Sequence, residues 1–174
     1  MLLSCAESPQ PKPAGFLALE YPEAEYEPAV LDCPYRFEKN SEAIVLKPGG
    51  AKPCWINLHY SDLKGTIFIT YQQVRNNLDS LLADAQRLPL QHTIKADAIE
   101  GDMYTNDYNR TYGMFYEVRG DAASQAQFYL TDSIRHFVTG SVYFNVEPNY
   151  DSIFPAAYYL KGDMRHLMES LEWQ

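Results

Sequence analysis

Arg110-Thr-Tyr-Gly-Met-Phe-Tyr-Glu-Val118, Gln125-Ala-Gln-Phe-Tyr-Leu-Thr131 and His136-Phe-Val-Thr-Gly-Ser-Val-Tyr-Phe-Asn-Val146 follow one another, broken only by Arg119-Gly-Asp-Ala-Ala123 and by Asp132-Ser133. Each run is rich in β-branched and aromatic residues, and Gly120-Asp121 is a hairpin-type turn signal. Three consecutive antiparallel strands are therefore predicted. In the third, Phe137, Thr139, Ser141, Tyr143 and Asn145 share one face, while Val138, Gly140, Val142, Phe144 and Val146 share the other, which is nearly all apolar. A meander of this size is marginal in water unless its apolar face is covered.

Cover is available on both sides of the meander in sequence. Leu78, Leu81, Leu82, Ala85 and Leu88 recur at helical spacing behind a cap at Asn76-Asn77, with Asp79, Asp84 and Arg87 opposite, and Pro89 is expected to end or kink that helix. A second helix is expected near the C-terminus, capped at Asp151-Ser152 with Pro155 in its first turn. Leu160, Met164, Leu167, Met168 and Leu171 form its apolar stripe, and Lys161, Asp163, Arg165 and Glu169 form its solvent face. Before the first helix, Cys54-Trp-Ile-Asn-Leu-His-Tyr60 and Gly65-Thr-Ile-Phe-Ile-Thr-Tyr71 make a second hairpin around Leu63-Lys-Gly65. Shorter strands are expected over Phe16 to Tyr21, Cys33 to Glu38 and Glu42 to Leu46. Hairpins, a helix, a meander and a closing helix specify an α+β fold, a mainly antiparallel sheet packed by two helices.

At 174 residues the chain suits one globular domain, expected over 16–174. A net charge of −9 and a pI near 4.8 argue against nucleic-acid binding, which needs a basic surface to neutralise phosphate. No apolar run reaches the roughly 18 residues of a membrane-spanning helix. The first residues, Met1-Leu-Leu-Ser-Cys5, look like the end of a lipoprotein signal without its charged and apolar parts, which places the true start upstream and makes Cys5 the lipidated residue. An ordinary cytosolic start with a chance cysteine is the alternative. Ala6 to Gly15, with three prolines and no periodicity, completes a tether over 1–15. Cys33 and Cys54 remain. In an exported chain they are expected to form one disulfide, and in a reducing compartment two buried thiols.

Motifs for a nucleophile elbow, a phosphate loop, a dinucleotide fingerprint or a zinc protease are absent from the sequence. The histidines His59, His92, His136 and His166 have no metal-ligand spacing, so neither a metal nor a cofactor is expected. The most chemically loaded string is Gln91 to Glu100, with His92, Lys95 and Asp97 between a helix and a strand. Asp132 and His136 occupy a turn of the meander. If they meet His92 or Lys95 across the sheet, a carboxylate beside a histidine becomes a general base. Polar turn residues that cap strand ends account for the same pattern and fit it better. Tyrosines on the sheet, among them Tyr112, Tyr129 and Tyr143, suit an interface as well as half-buried strand positions.

Taken together, several strings resemble a known family: Leu3-Ser-Cys5, Pro11-Lys-Pro13, Cys33-Pro-Tyr35, Pro53-Cys-Trp55, His92-Thr-Ile-Lys-Ala-Asp-Ala98, Phe128-Tyr-Leu-Thr-Asp132, Tyr143-Phe-Asn145 and Leu167-Met-Glu-Ser-Leu-Glu-Trp173. The chain is similar along nearly its whole length to the gliding motility lipoprotein GldD family of Bacteroidota. The resemblance implies acylation at Cys5 and a periplasmic lipoprotein of the cell envelope. It implies a non-enzymatic accessory role in gliding motility or type IX protein secretion, with other envelope proteins of that machinery as partners. It supplies no catalytic residues. A further analogy of fold alone is to Mog1/PsbP-like domains, α/β/α sandwiches with a closing helix. The alternative function is an envelope hydrolase or small-ligand-binding protein that uses His92, Lys95, Asp97, Asp132 and His136.

Overall fold

The computed structural model describes residues 21–50, 52–90, 96–145 and 150–174. Four short strands come first: β1 (Tyr26–Pro28), β2 (Tyr35–Arg36), β3 (Glu38–Asn40) and β4 (Ile44–Leu46). The hairpin of β5 (Ile56–Tyr60) and β6 (Gly65–Gln73) follows, then α1 (Leu78–Leu90). The second half contains β7 (Ala96–Asn106), β8 (Thr111–Gly120), β9 (Ser124–Thr131), β10 (His136–Phe144), α2 (Tyr150–Ser170) and β11 (Glu172–Trp173). The expected strand over Phe16 to Tyr21 lies outside the described residues except for Tyr21.

The three predicted strands are β8, β9 and β10, at the heart of a seven-stranded antiparallel sheet with the order β4-β5-β6-β10-β9-β8-β7. The fold is thus α+β, as the pattern of elements required. Alternation along the strands decides which helix covers which face. Leu130, Phe128, Val138 and Val142 pack with Ile67, Ile69, Leu58 and the α2 stripe of Leu160, Met164, Leu167, Met168 and Leu171. Tyr129 and Phe137, their neighbours in sequence, pack instead with Leu81 and Ala85 of α1. Because successive strand residues point to opposite faces, α1 and α2 cover opposite sides of the sheet. Gly140 is required by close packing on the α2 side, since a Cβ there would sit 2.1 Å from the Phe128 ring.

Three features depart from the sequence expectations. An edge strand, β7, begins inside the string Gln91 to Glu100 and runs on to Asn106, where the sequence predicts no strand. Its side chains are mostly exposed, with Met103 79% accessible, so it carries no apolar alternation to announce it. In α1, Pro89 lies inside the last turn and is buried, whereas Leu88 faces outward. The Asn77 side chain turns back to accept from the Arg75 N–H at 2.7 Å instead of capping the helix. The third departure decides the site: Lys161 and Arg165 pair with Glu117 and Asp102 of the sheet, and Asp163 is covered from the other side of α2. A second layer crosses that side of α2, because β1 pairs with β3 and this hairpin packs along the helix. Asp163 is only 4% exposed. Helical periodicity shows one stripe toward the sheet, and it is blind to a strap laid over the other side.

The strap is fastened twice between Cys33 and Arg36. Cys33 and Cys54 are joined in a disulfide with their Cα atoms 5.5 Å apart. The C-terminal residues Glu172 and Trp173 pair with Arg36 and Tyr35, and the Gln174 N–H donates to the Pro34 carbonyl at 3.0 Å. Trp173 Nε1 also donates to the Arg110 carbonyl at 3.0 Å, so the terminus is held to the β7-β8 turn as well.

Candidate functional site

Asp132 does the work of a turn. Its Oδ1 accepts from the backbone N–H groups of Ile134, Arg135 and His136 at 2.8 to 2.9 Å. Partial burial raises its pKa, but those backbone bonds lower it by more, so the carboxyl lies below its ordinary value. His136 is sandwiched: its ring stacks on Trp173 with centroids 5.2 Å apart, and its Nδ1 is hydrogen-bonded to the Tyr71 hydroxyl at 2.9 Å. Desolvation lowers its pKa, with the Asp132 charge opposing in part. Both residues are thus engaged in holding β10, Tyr71 and the C-terminus together.

The proposed five-residue cluster is not assembled by the described residues. Asp97 is exposed at a bulge in β7, beside the pairing of Ala98 with Arg119. Asp132 lies at the other end of the sheet, where Thr105 pairs with Tyr112 and Tyr112 pairs with Thr131. The stretch of β7 from 97 to 105 spans roughly 26 Å of extended chain. A proton transfer between these ends is therefore impossible in this arrangement. His92 and Lys95 lie outside the described residues, as does Cys5. Among the described residues no group of His, Cys, Asp and Glu has the geometry to hold a metal.

The densest polar constellation is elsewhere, around Asp163. Tyr26 donates to Asp163 Oδ1 at 2.9 Å, and Asn40 Nδ2 lies 3.0 Å from Oδ2 and 2.9 Å from the Tyr159 hydroxyl. Asn40 Oδ1 accepts from the Glu42 N–H at 3.0 Å, which fixes the orientation of the amide. Desolvation pushes the Asp163 carboxyl above the ordinary carboxylate range, and the bonds from Asn40 and Tyr26 restrain that rise. The Tyr26 ring stacks on His166 at 3.5 Å between centroids, and His166 Nε2 is 2.8 Å from Glu38. Tyr60 is 2% exposed, and its hydroxyl meets no hydrogen-bond partner among the described residues. Burial raises its pKa first, and the nearby Asp163 charge adds to that.

Beside this constellation opens a cavity of about 240 Å³, walled by Tyr21, Tyr60 and Tyr159, with Glu42 and Asp62 among its other lining residues. Tyr21 and Tyr159 are stacked at 5.3 Å. Sequence reasoning missed this site because its members come from the strap, from β5 and from α2. The one available signal was the i, i+4 placement of Tyr159 and Asp163 on one face of α2.

A second surface is open. On the face away from α2, Ile44, His59, Thr66 and Tyr143 lie in one cross-strand row, and Leu46, Asn57, Phe68 and Ser141 in the next. Helix α1 stands over Tyr129 and Phe137, farther along the sheet, and leaves Ile44, Leu46, Phe68 and Tyr143 accessible. Phe68 and Tyr143 meet edge to face at 5.6 Å.

Comparison with known proteins agrees with the resemblance carried by the sequence strings. The family model for Gliding motility lipoprotein GldD matches residues 6–173, nearly the whole chain. No curated protein matches the chain.

Proposed function

We propose, because the chain belongs to the gliding motility lipoprotein GldD family, that it is a non-enzymatic accessory domain of the gliding or type IX secretion machinery, acting by binding other proteins of the cell envelope. Membership of that family makes it a cell-envelope lipoprotein. The finer proposal is that an acyl chain on Cys5 tethers it to a membrane through the proline-rich segment, with the folded part in the periplasm. No helix among the described residues is long and apolar enough to cross a membrane.

The observation that carries the binding role is the open sheet face of Ile44, Leu46, Phe68 and Tyr143. The aliphatic pair Ile44 and Leu46 and the aromatic pair Phe68 and Tyr143, with Asn57, His59 and Thr66 between them, give the mixed apolar and polar composition of a non-obligate interface. Its proposed occupant is another envelope protein of the same machinery, the partner class that family membership supports. The hydrolase alternative is not favoured, since Asp97 stands apart from Asp132 and His136.

Two substitutions in the native gene test the proposal. Cys5→Ala should abolish incorporation of labelled fatty acid and release the protein from the membrane fraction. Phe68→Ser combined with Leu46→Ser should leave the fold intact and abolish co-purification of envelope partners from detergent-solubilised cells. Undiminished co-purification by the double variant would refute this face as the interface.

A further inference from the structure

We infer that the tyrosine-walled cavity beside Asp163 receives a lysine or arginine side chain of a partner protein; this rests on the protein-binding role proposed above and specifies the chemistry of a second contact. The volume is the first constraint. At about 240 Å³ the cavity falls below the roughly 300–1,000 Å³ of sites that enclose a drug-sized ligand or cofactor. It suits one extended side chain.

Charge is the second constraint. None of the described residues lining the cavity is basic, while Glu42 and Asp62 bring carboxylates to it and Asp163 lies behind Tyr60. An anionic group would meet repulsion from all three. The walls are the third constraint: Tyr21, Tyr60 and Tyr159 line the cavity, Tyr21 and Tyr159 stacked on each other, and aromatic rings favour a cation. A purely apolar occupant would use those rings but leave the Glu42 and Asp62 carboxylates without a counter-charge. An ammonium or guanidinium group resolves this. The net charge of −9 steers a basic segment toward the protein.

The test uses the full 174-residue chain and short blocked peptides as probes: acetyl-Gly-Lys-Gly-amide, its arginine and norleucine analogues, and its glutamate analogue. Titrations are followed by NMR at the backbone amides of Tyr60 to Leu63 and at the tyrosine rings. The lysine and arginine peptides should give saturable shifts there, and the norleucine peptide should bind about tenfold or more weakly, the size of a desolvated cation–π contact. Glu42→Gln with Asp62→Asn, both exposed positions, should weaken the lysine peptide and leave the rest of the spectrum unchanged. Equal binding of norleucine and lysine, tighter binding of glutamate, or no shift with either basic peptide would overturn the inference. Failure here is distinguishable from failure of the binding role. If the Phe68 and Leu46 double variant loses its partners while lysine gives no shift, only the cavity assignment falls. If lysine binds and no envelope partner co-purifies with the native protein, the cation site stands and the scaffold role falls.

Discussion

Asp132 and Asp163 are both carboxylates that accept several hydrogen bonds, but their partners come from opposite distances along the chain. Asp132 is satisfied by three residues just ahead of it, Ile134 to His136. Asp163 is satisfied by Tyr26 and Asn40, more than a hundred positions away. The first arrangement is a turn that closes on itself and leaves nothing over for a ligand. The second exists only when strap, sheet and helix are together, and it borders a cavity with an unsatisfied hydroxyl. Chemistry-bearing residues that are close in sequence are therefore the poorer guide here. They have local work to do.

The largest effect should come from unfastening the strap. Replacing Cys33 and Cys54 together by alanine should cost about 3 kcal/mol in denaturant unfolding, the chain-entropy value for a loop of this order. Hydrogen exchange should then quicken first at Tyr26 to Asn40 and leave the Asp132 turn protected. Equal loosening of both regions would show that the strap is not a separate layer.

Next come the carboxylates themselves. Asp163→Ala strands the Tyr26 hydroxyl and an Asn40 donor in a buried place, for an expected loss of about 2 to 3 kcal/mol. Asp132→Ala removes a cap from a partly exposed turn and should cost about 1 kcal/mol, as caps do. If the order is reversed, the contrast between the two regions is wrong.

Acid should separate the two residues by sign. The folded-state pKa of Asp163 is raised, so its ionised form is a burden at neutral pH, and that burden is relieved as pH falls through the raised value toward the ordinary 3.8. The stability of the native protein minus that of Asp163→Asn should therefore increase over that window. The folded-state pKa of Asp132 is lowered, so its contribution is fully present above 3.8 and is lost as pH falls through the depressed value. The corresponding difference from Asp132→Asn should shrink on acidification. Parallel slopes in urea titrations between pH 7 and pH 3 would contradict the opposed environments.

What the sequence disclosed follows the same division. The strands β8, β9 and β10, the hairpin β5-β6 and both helices are written in local periodicity, because each buries one face against a single layer. The stripe of Leu160, Met164, Leu167, Met168 and Leu171 is accordingly buried throughout. β7 was illegible because an exposed edge strand places no apolar residues at alternate positions. The burial of Asp163 was illegible because the layer that causes it comes from residues 26–40, whose own pattern is irregular and whose path is set by the disulfide and by pairing with the C-terminus. The family, in contrast, was legible from strings such as Cys33-Pro-Tyr35 and Leu167 to Trp173. These strings lie where the strap is tied down.

The smallest expected effect falls on Asp97, the residue that sequence proximity to His92 and Lys95 made most conspicuous. It is exposed on the edge strand, at the bulge between Ala96 and Ala98. Removing its side chain strips no buried partner and opens no cavity, so Asp97→Ala should alter unfolding stability by no more than about 0.5 kcal/mol, as for ordinary surface sites. It should also leave the lysine-peptide titration unchanged, since that site is built from the strap, β5 and α2. If Asp97→Ala instead abolishes gliding or secretion in cells while stability and peptide binding hold, function resides at the β7 end of the sheet. The open face of Phe68 and the cavity beside Asp163 would then both lose their place as the working surfaces.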